Sequence, residues 1–256
     1  MTLPLEGRTA VVTGAGRRAG IGFATARRLV RLGASVLVHA WTPYDLAEYD
    51  VDAAEPEVAL AELREDGRAE LVEADFADPD APAAVIGAAR TAFGHVDILV
   101  VNHTRSSHVP LEELTAEELD AALHENVRAA LLLVKEFAVQ HDGREGGRVI
   151  LMTSGQHLAP MAGEIAYGVS KGALHQVTKT LAEALIERRI TVNTVNPGPT
   201  DTGWGLADWD PEPKMPLGRW GEPDDAARLI AWLCTDDARW ITGQVIDSEG
   251  GFRRWG

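Results

Sequence analysis

The strongest constraint on this chain lies in its first 32 residues. A short, continuously apolar run at 9–13 ends in Thr13-Gly14-Ala15-Gly16-Arg17-Arg18-Ala19-Gly20-Ile21-Gly22, and residues 21–32 then carry apolar side chains at helical spacing. A glycine-rich turn between a buried strand and a helix lets the backbone turn tightly and leaves the helix N-terminus open. The same switch of period recurs: strand-like at 35–39, helical near 56–65, strand-like near 69–74, helical near 81–93 and strand-like at 97–101. These strands are apolar throughout rather than alternating, as a parallel sheet covered on both faces requires.

The second half repeats the pattern. Thr115-Ala116-Glu117-Glu118 has the form of a capping box opening a long helix to about Gln140. A strand at 149–153, a helix at 166–188, a strand at 191–196, a helix at 222–233 and a short strand at 244–247 follow. The alternation predicts an α/β, doubly wound Rossmann fold: a central parallel sheet of about seven strands with helices on both faces. The 256 residues contain no repeat or linker, so one domain spanning 1–256 is expected. One long irregular stretch, 198–217, carries Trp204, Leu206, Trp209, Met215 and Pro216, and is expected to be a partly apolar substrate loop.

Composition removes several classes of function. A net charge of −15 repels nucleic-acid phosphates. No apolar run approaches the roughly 20 residues of a membrane span, and the N-terminus lacks a secretory leader. The single cysteine, Cys234, cannot form an internal disulfide, which fits a reducing cytoplasm. The expected partner is a small molecule.

The glycine loop sits where a dinucleotide pyrophosphate meets a helix N-terminus; the alternative is a tight turn that holds nothing. An acid that would bond the adenosine 2′-hydroxyl belongs at the end of the second strand, which here reads Val38-His39-Ala40-Trp41. Arg17 and Arg18 instead bring two guanidinium groups, suited to a 2′-phosphate. NADP(H) is therefore preferred, with NAD(H) possible, unless both arginines are solvated. Trp41 is placed either against the adenine or as an ordinary core or surface aromatic.

Tyr167-Gly168-Val169-Ser170-Lys171 opens a helix, so Tyr167 and Lys171 share one face. A tyrosine needs its pKa of about 10 lowered to act near neutrality, and a nearby ammonium does this. Ser154 closes a strand 13 residues before Tyr167, pointing into the crevice where open α/β sheets bind ligands. Asn126 is a poor helix former in the middle of the long helix.

With these residues in view, the chain resembles the short-chain dehydrogenase/reductase family, in its branch of about 250 residues, and most closely a 3-oxoacyl-carrier-protein reductase-like subgroup. The glycine loop resembles the family's TGxxxGxG with two extra residues before Gly20. Asn126, Ser154, Tyr167 and Lys171 match the catalytic four. Asn196-Pro197-Gly198 with Thr202 matches N-P-G-x-x-x-T, and the segment from Gly218 to Gly251 matches the family's C-terminal part. The resemblance implies hydride transfer from NAD(P)H to a ketone or 3-oxoacyl-type carbonyl, or the reverse. Tyr167 would protonate the oxygen, Ser154 would donate to it, and Lys171 would depress the tyrosine pKa and bond the nicotinamide ribose. Asn126 would hold a water, and Thr200 and Thr202 would grip the carboxamide. Gly14, Gly20, Ile21, Gly22, Asp75, Phe76, Asn102, Pro197 and Gly198 complete the implied cofactor site.

One departure is Val101-Asn102-His103-Thr104 where the family has NNAG. This leaves His103 as an extra base or, more simply, as a packing residue. An enoyl reductase and a catalytically inactive cofactor-binding protein are the competing readings. The first is weakened because such enzymes carry YxxMxxxK, the second because Tyr167 and Lys171 are both kept. The family's habit, and the apolar run Leu131-Leu132-Leu133-Val134, imply a homotetramer, or at least a dimer.

Overall fold

A computed structural model describes residues 2–203, 206 and 210–255. Seven strands form one sheet: β1 Thr9–Val12, β2 Ser35–Ala40, β3 Ala69–Glu73, β4 Ile98–Val101, β5 Gly147–Met152, β6 Ile190–Asn196 and β7 Val245–Asp247. Their order is β3-β2-β1-β4-β5-β6-β7, with every pair parallel. The doubly wound fold is as expected, and the order reverses direction between β1 and β4. Open sheets of this kind bind ligands beyond the strand C-termini at such a switch point.

The continuous apolar strands have a simple cause. Successive side chains point to opposite faces, and both faces are core. Ala10 and Val12 pack with Phe23 and Leu29 of α1 (Ile21–Arg31), Leu63 of α3 (Glu55–Asp66) and Ile230 of α8 (Pro223–Leu233). Val11 faces the other way, toward Val85 of α4 (Ala81–Phe93), Leu133 and Phe137 of α6 (Ala129–Gln140), and Leu174 of α7 (Ile165–Leu185).

Two elements differ from the sequence expectation. The long helix to Gln140 is interrupted: α5 (Ala116–Ala122) gives way to a π-helical turn, Leu123–Arg128, before α6. Hydrophobic period cannot reveal this, because the turn inserts its extra residue without breaking the helical path. Thr115 caps α5 as expected, its hydroxyl accepting from the Glu118 N–H at 3.2 Å. The second difference is an unanticipated helix, α2 (Thr42–Glu48), started by a proline in its first turn. It buries no residue fully and so carries no apolar stripe to read. Leu131 and Leu132 are only partly covered within the chain, whereas Leu133 and Val134 are core. In the 198–217 loop, Leu206 and the buried Met215 are described; Trp204 and Trp209 lie outside the described residues. No helix among the described residues is long and apolar enough to cross a membrane.

Candidate active site

Two adjoining cavities form one groove along the C-terminal edge of the sheet. The larger, about 470 Å³, is lined by Met152, Ser154, Tyr167, Lys171, Pro197, Gly198 and Thr200. The smaller, about 180 Å³, is lined by Gly14, Arg17, Gly20, Trp41, Asp75 and Phe76. Ile21, Asn102, Thr104 and Thr202 border both. Residues separated by up to 240 positions, Gly14 and Arg254, thus meet in one cleft.

At the larger end, β5 delivers Ser154 in extended backbone directly after the buried Thr153. The Thr153 hydroxyl donates to the Lys171 carbonyl at 2.9 Å, which ties β5 to the first turns of α7. The Ser154 side chain beside the Tyr167 phenol favours its ionised form, but burial outweighs that influence and pushes the phenol up to about 12. Lys171 is 2% exposed, and desolvation brings its ammonium down to about 8. The expected depression of Tyr167 by Lys171 is therefore absent from the site as it stands. The ammonium lies 5.7 Å from the tyrosine ring centroid and donates to the Met152 carbonyl at 3.2 Å.

Asn126, 1% exposed, sits within the π-helical turn. Its amide donates to the Arg105 carbonyl at 2.9 Å and the Ser170 hydroxyl at 3.0 Å. Its carbonyl accepts from the Arg105 N–H at 2.6 Å and the Thr104 hydroxyl at 3.3 Å. Every hydrogen-bonding position of the amide is thereby used. The side chain braces the chain after β4 against α7. His103 resolves in favour of packing. Its ring bonds the Thr13 hydroxyl at 2.8 Å and the Glu125 carbonyl at 3.0 Å, and burial holds its pKa well below the ordinary histidine value.

At the smaller end, α1 starts after Gly20 with no side-chain cap and no acid in its first turn, so its N-terminal N–H groups are open to an anion. Asn102 donates to the carbonyls of Thr13 and Gly14 at 3.1 and 2.9 Å, holding the glycine loop in shape. A Cβ on Gly14 would come within 2.7 Å of the His103 Cα, and one on Gly22 would strike the Gly14 carbonyl. Gly22 is buried and serves helix–strand packing. Phe76 stacks between His39 and His103, with ring centroids 4.2 Å away on each side, and Asp75 lies beside it.

The two arginines separate. Arg17 lines the groove, 3.4 Å above the Tyr49 ring centroid, with Nε 3.5 Å from Asp45 and a 2.9 Å bond to the Thr202 carbonyl. Arg18 faces away, bound by Glu55 at 2.9 Å and Glu62 at 3.1 Å on α3, and does not border the groove. Its expected place on a 2′-phosphate is corrected: the carboxylates of α3 occupy its donors. The acid missing from the end of β2 returns in three dimensions as Asp45, which α2 folds back over Gly16. Burial raises the Asp45 carboxyl to about 6 against the pull of Arg17. Sequence reading also missed Tyr44, Tyr49 and the tail residues Glu249, Phe252 and Arg254, which line the same groove. The run after β2 offered a signal for the first two, and nothing local offered one for the tail. Among the described residues no cluster of His, Cys, Asp or Glu could hold a metal ion.

A strand–glycine loop–helix entry, a parallel seven-stranded sheet and a Ser–Tyr–Lys cavity at its C-terminal edge define an oxidoreductase of the Rossmann type. Residues 14–253 match the family model described as Enoyl-(Acyl carrier protein) reductase. The chain is 39% identical over 251 residues to an uncharacterised oxidoreductase of Bacillus subtilis (strain 168), covering 96% of this chain and 97% of the relative. It is 33% identical to an NADPH-dependent aldehyde reductase-like chloroplastic protein of Arabidopsis thaliana, covering 98% and 96%. A short-chain dehydrogenase from Burkholderia cenocepacia J2315, solved with NADP, superposes with a TM-score of 0.87 at 35% identity, covering 97% of this chain and 98% of that one. The chain belongs to the short-chain dehydrogenase/reductase family and is an oxidoreductase.

Proposed function

We propose that this protein is an NADP(H)-preferring carbonyl reductase, interconverting a ketone or 3-oxoacyl-type carbonyl and its alcohol, with NAD(H) as a weaker alternative. The observation that carries the reading is the meeting of Ser154, Tyr167 and Lys171 in one cavity continuous with an uncapped helix N-terminus. That terminus, Gly14, Gly20 and Ile21 fit a pyrophosphate; Asp75, Phe76 and Trp41 line the adenosine end; Pro197, Gly198, Thr200 and Thr202 line the nicotinamide end. The cofactor supplies the hydride.

The chain's own residues handle the oxygen. Tyr167, neutral below about 12, gives its proton to the carbonyl oxygen. Ser154 donates a hydrogen bond to the same oxygen as charge develops there, an effect of about 3 kcal/mol. Lys171, still largely charged at neutral pH, lies on the tyrosine ring face and stabilises the phenolate left behind. The relative named an NADPH-dependent aldehyde reductase-like protein and the NADP-bound neighbour support this cofactor and chemistry.

The family model's description favours a second reading, reduction of an enoyl C=C. A Tyr–Lys pair one helical turn apart, with a serine in the same cavity, suits an oxygen that must be protonated. Incubation with NADPH or NADH and a panel of ketones, 3-oxo esters and 2-enoyl esters, followed by loss of cofactor absorbance, separates the two. Turnover of carbonyls is expected, and turnover of enoyl esters alone overturns the proposal. We further propose a cytoplasmic homotetramer in which the half-covered Leu131 and Leu132 and the exposed Val139 of α6 meet a second copy. A monomeric mass by light scattering at micromolar concentration overturns that part.

A further inference from the structure

The C-terminal tail places a charged pair in the wall of the catalytic cavity. Arg254 and Glu249 both line it, with side chains only 13% and 9% exposed. The pair is bidentate: Arg254 Nη1 donates to Glu249 Oε2 at 2.6 Å, and Nη2 donates to Oε1. Asn196, at the end of β6, donates to the same Oε1 at 2.7 Å. Phe252 lies under the guanidinium, 4.9 Å from its ring centroid.

Two glycines clear the space. A Cβ on Gly155, the residue after Ser154, would collide with Arg254 Nη2 and crowd its Cζ and Nε at 3.1 and 3.3 Å, the three nearest atoms to that position. A Cβ on Gly198 would come within 2.8 Å of Glu249 Cα and Cβ, and Gly198 also needs a φ of +68°. Gly155 has no left-handed backbone to justify it. Its lack of a side chain is explained by the arginine it admits.

Taking two charges out of water costs more than a buried pair usually returns in stability. A tail could be fastened more cheaply by apolar contacts. The location gives the pair another use. Glu249 takes one hydrogen from each terminal nitrogen, which leaves Nε–H and the second hydrogen on each terminal nitrogen. These donors lie one residue from Ser154, on the side of the cavity against Gly155. The cavity lining sets two carboxylates, Glu249 and Glu164, against two cations, Arg254 and Lys171, and Glu249 already pairs with Arg254. The guanidinium therefore has no uncompensated charge to hold a carboxylate, and its remaining donors suit a neutral acceptor.

We propose that Arg254, held by Glu249 and admitted by Gly155, selects the substrate by donating hydrogen bonds to a second, neutral oxygen near the reacting carbonyl, so that 3-oxo esters are preferred to plain ketones. This rests on the carbonyl-reductase reading above. The reacting carbonyl takes Ser154 and Tyr167; the ester oxygen takes Arg254. No covalent step is added.

The test compares ethyl 3-oxobutanoate, 2-heptanone of the same chain length, and 3-oxobutanoate as the free anion. In the unmodified protein kcat/KM falls in that order from ester to ketone to anion. A charge-assisted hydrogen bond corresponds to about a tenfold or greater preference. In Arg254→Met the ester-to-ketone ratio of kcat/KM drops at least about tenfold toward unity. Gly155→Ala, which keeps the arginine but fills its seat, lowers the same ratio. If Arg254 merely fastens the tail, both variants lose activity on ester and ketone alike; an unchanged ratio in both overturns the proposal. Ketone turnover without ester preference in the unmodified protein overturns it while leaving the carbonyl-reductase reading intact. No turnover of any of the three overturns both.

Discussion

The two ends of the groove are built on different principles. At the catalytic end, Tyr167 and Lys171 stand one turn apart on α7, and Ser154 ends the strand that α7 packs against. Their electrostatics come from burial: the phenol is pushed up to about 12 and the ammonium down to about 8. At the adenosine end, side chains arrive from the β1–α1 loop, β2, α2 and the ends of β3 and β4, and their charges are cancelled by neighbours. Asp45 lies against Arg17, and Glu55 and Glu62 take Arg18. His39 is brought down to about 4 by burial and stays neutral against Phe76. A group whose partner sits on its own helix advertises its role through spacing. A group whose partner comes from another element does not, because the same arginine can face a phosphate or a glutamate.

The sharpest way to break this contrast is Tyr167→Phe. General acid catalysis is worth about 100- to 10,000-fold, so kcat should fall at least about a hundredfold while cofactor still binds by fluorescence titration. Retention of a tenth of the activity would remove Tyr167 from its role.

The next effect is thermodynamic. Because burial depresses Lys171 from 10.5 to about 8, between those values the unfolded chain keeps a proton that the folded chain has lost. Stability contributed by this site therefore rises with pH across that window, by up to about 3 kcal/mol. Urea midpoints of the unmodified protein and Lys171→Met, compared from below pH 8 to above 10, should diverge in that sense. Parallel pH curves would show that Lys171 is not desolvated.

The adenosine end gives smaller effects. Arg17→Ala should weaken 2′,5′-ADP relative to 5′-AMP about ten- to a hundredfold by calorimetry, the value of one charge-assisted phosphate contact. An unchanged ratio would show that Asp45 and Tyr49 hold Arg17 away from the ligand. Arg18→Ala should change that ratio less than about twofold, since exposed ion pairs contribute little and its donors face α3. A loss as large as that of Arg17→Ala would restore both arginines to the phosphate site.

Much of this protein is determined by order along the chain. Apolar strands alternating with amphipathic helices dictate a parallel sheet with two buried faces, because side-chain direction alternates every residue in a strand and both directions here are apolar. The glycine loop before α1, and the Tyr167–Lys171 pair with Ser154 ahead of it, are equally local. Tertiary structure decided the rest. It turned the middle of a long helix into a π-helical brace around Asn126, folded α2 back to return an acid to the adenosine end, and separated Arg17 from Arg18. It also carried Arg254 to Gly155, 99 positions away in sequence. The physical reason is range. Dihedral preference and hydrophobic period act over a few residues, whereas which charge meets which carboxylate depends on the packing of separate elements against one another.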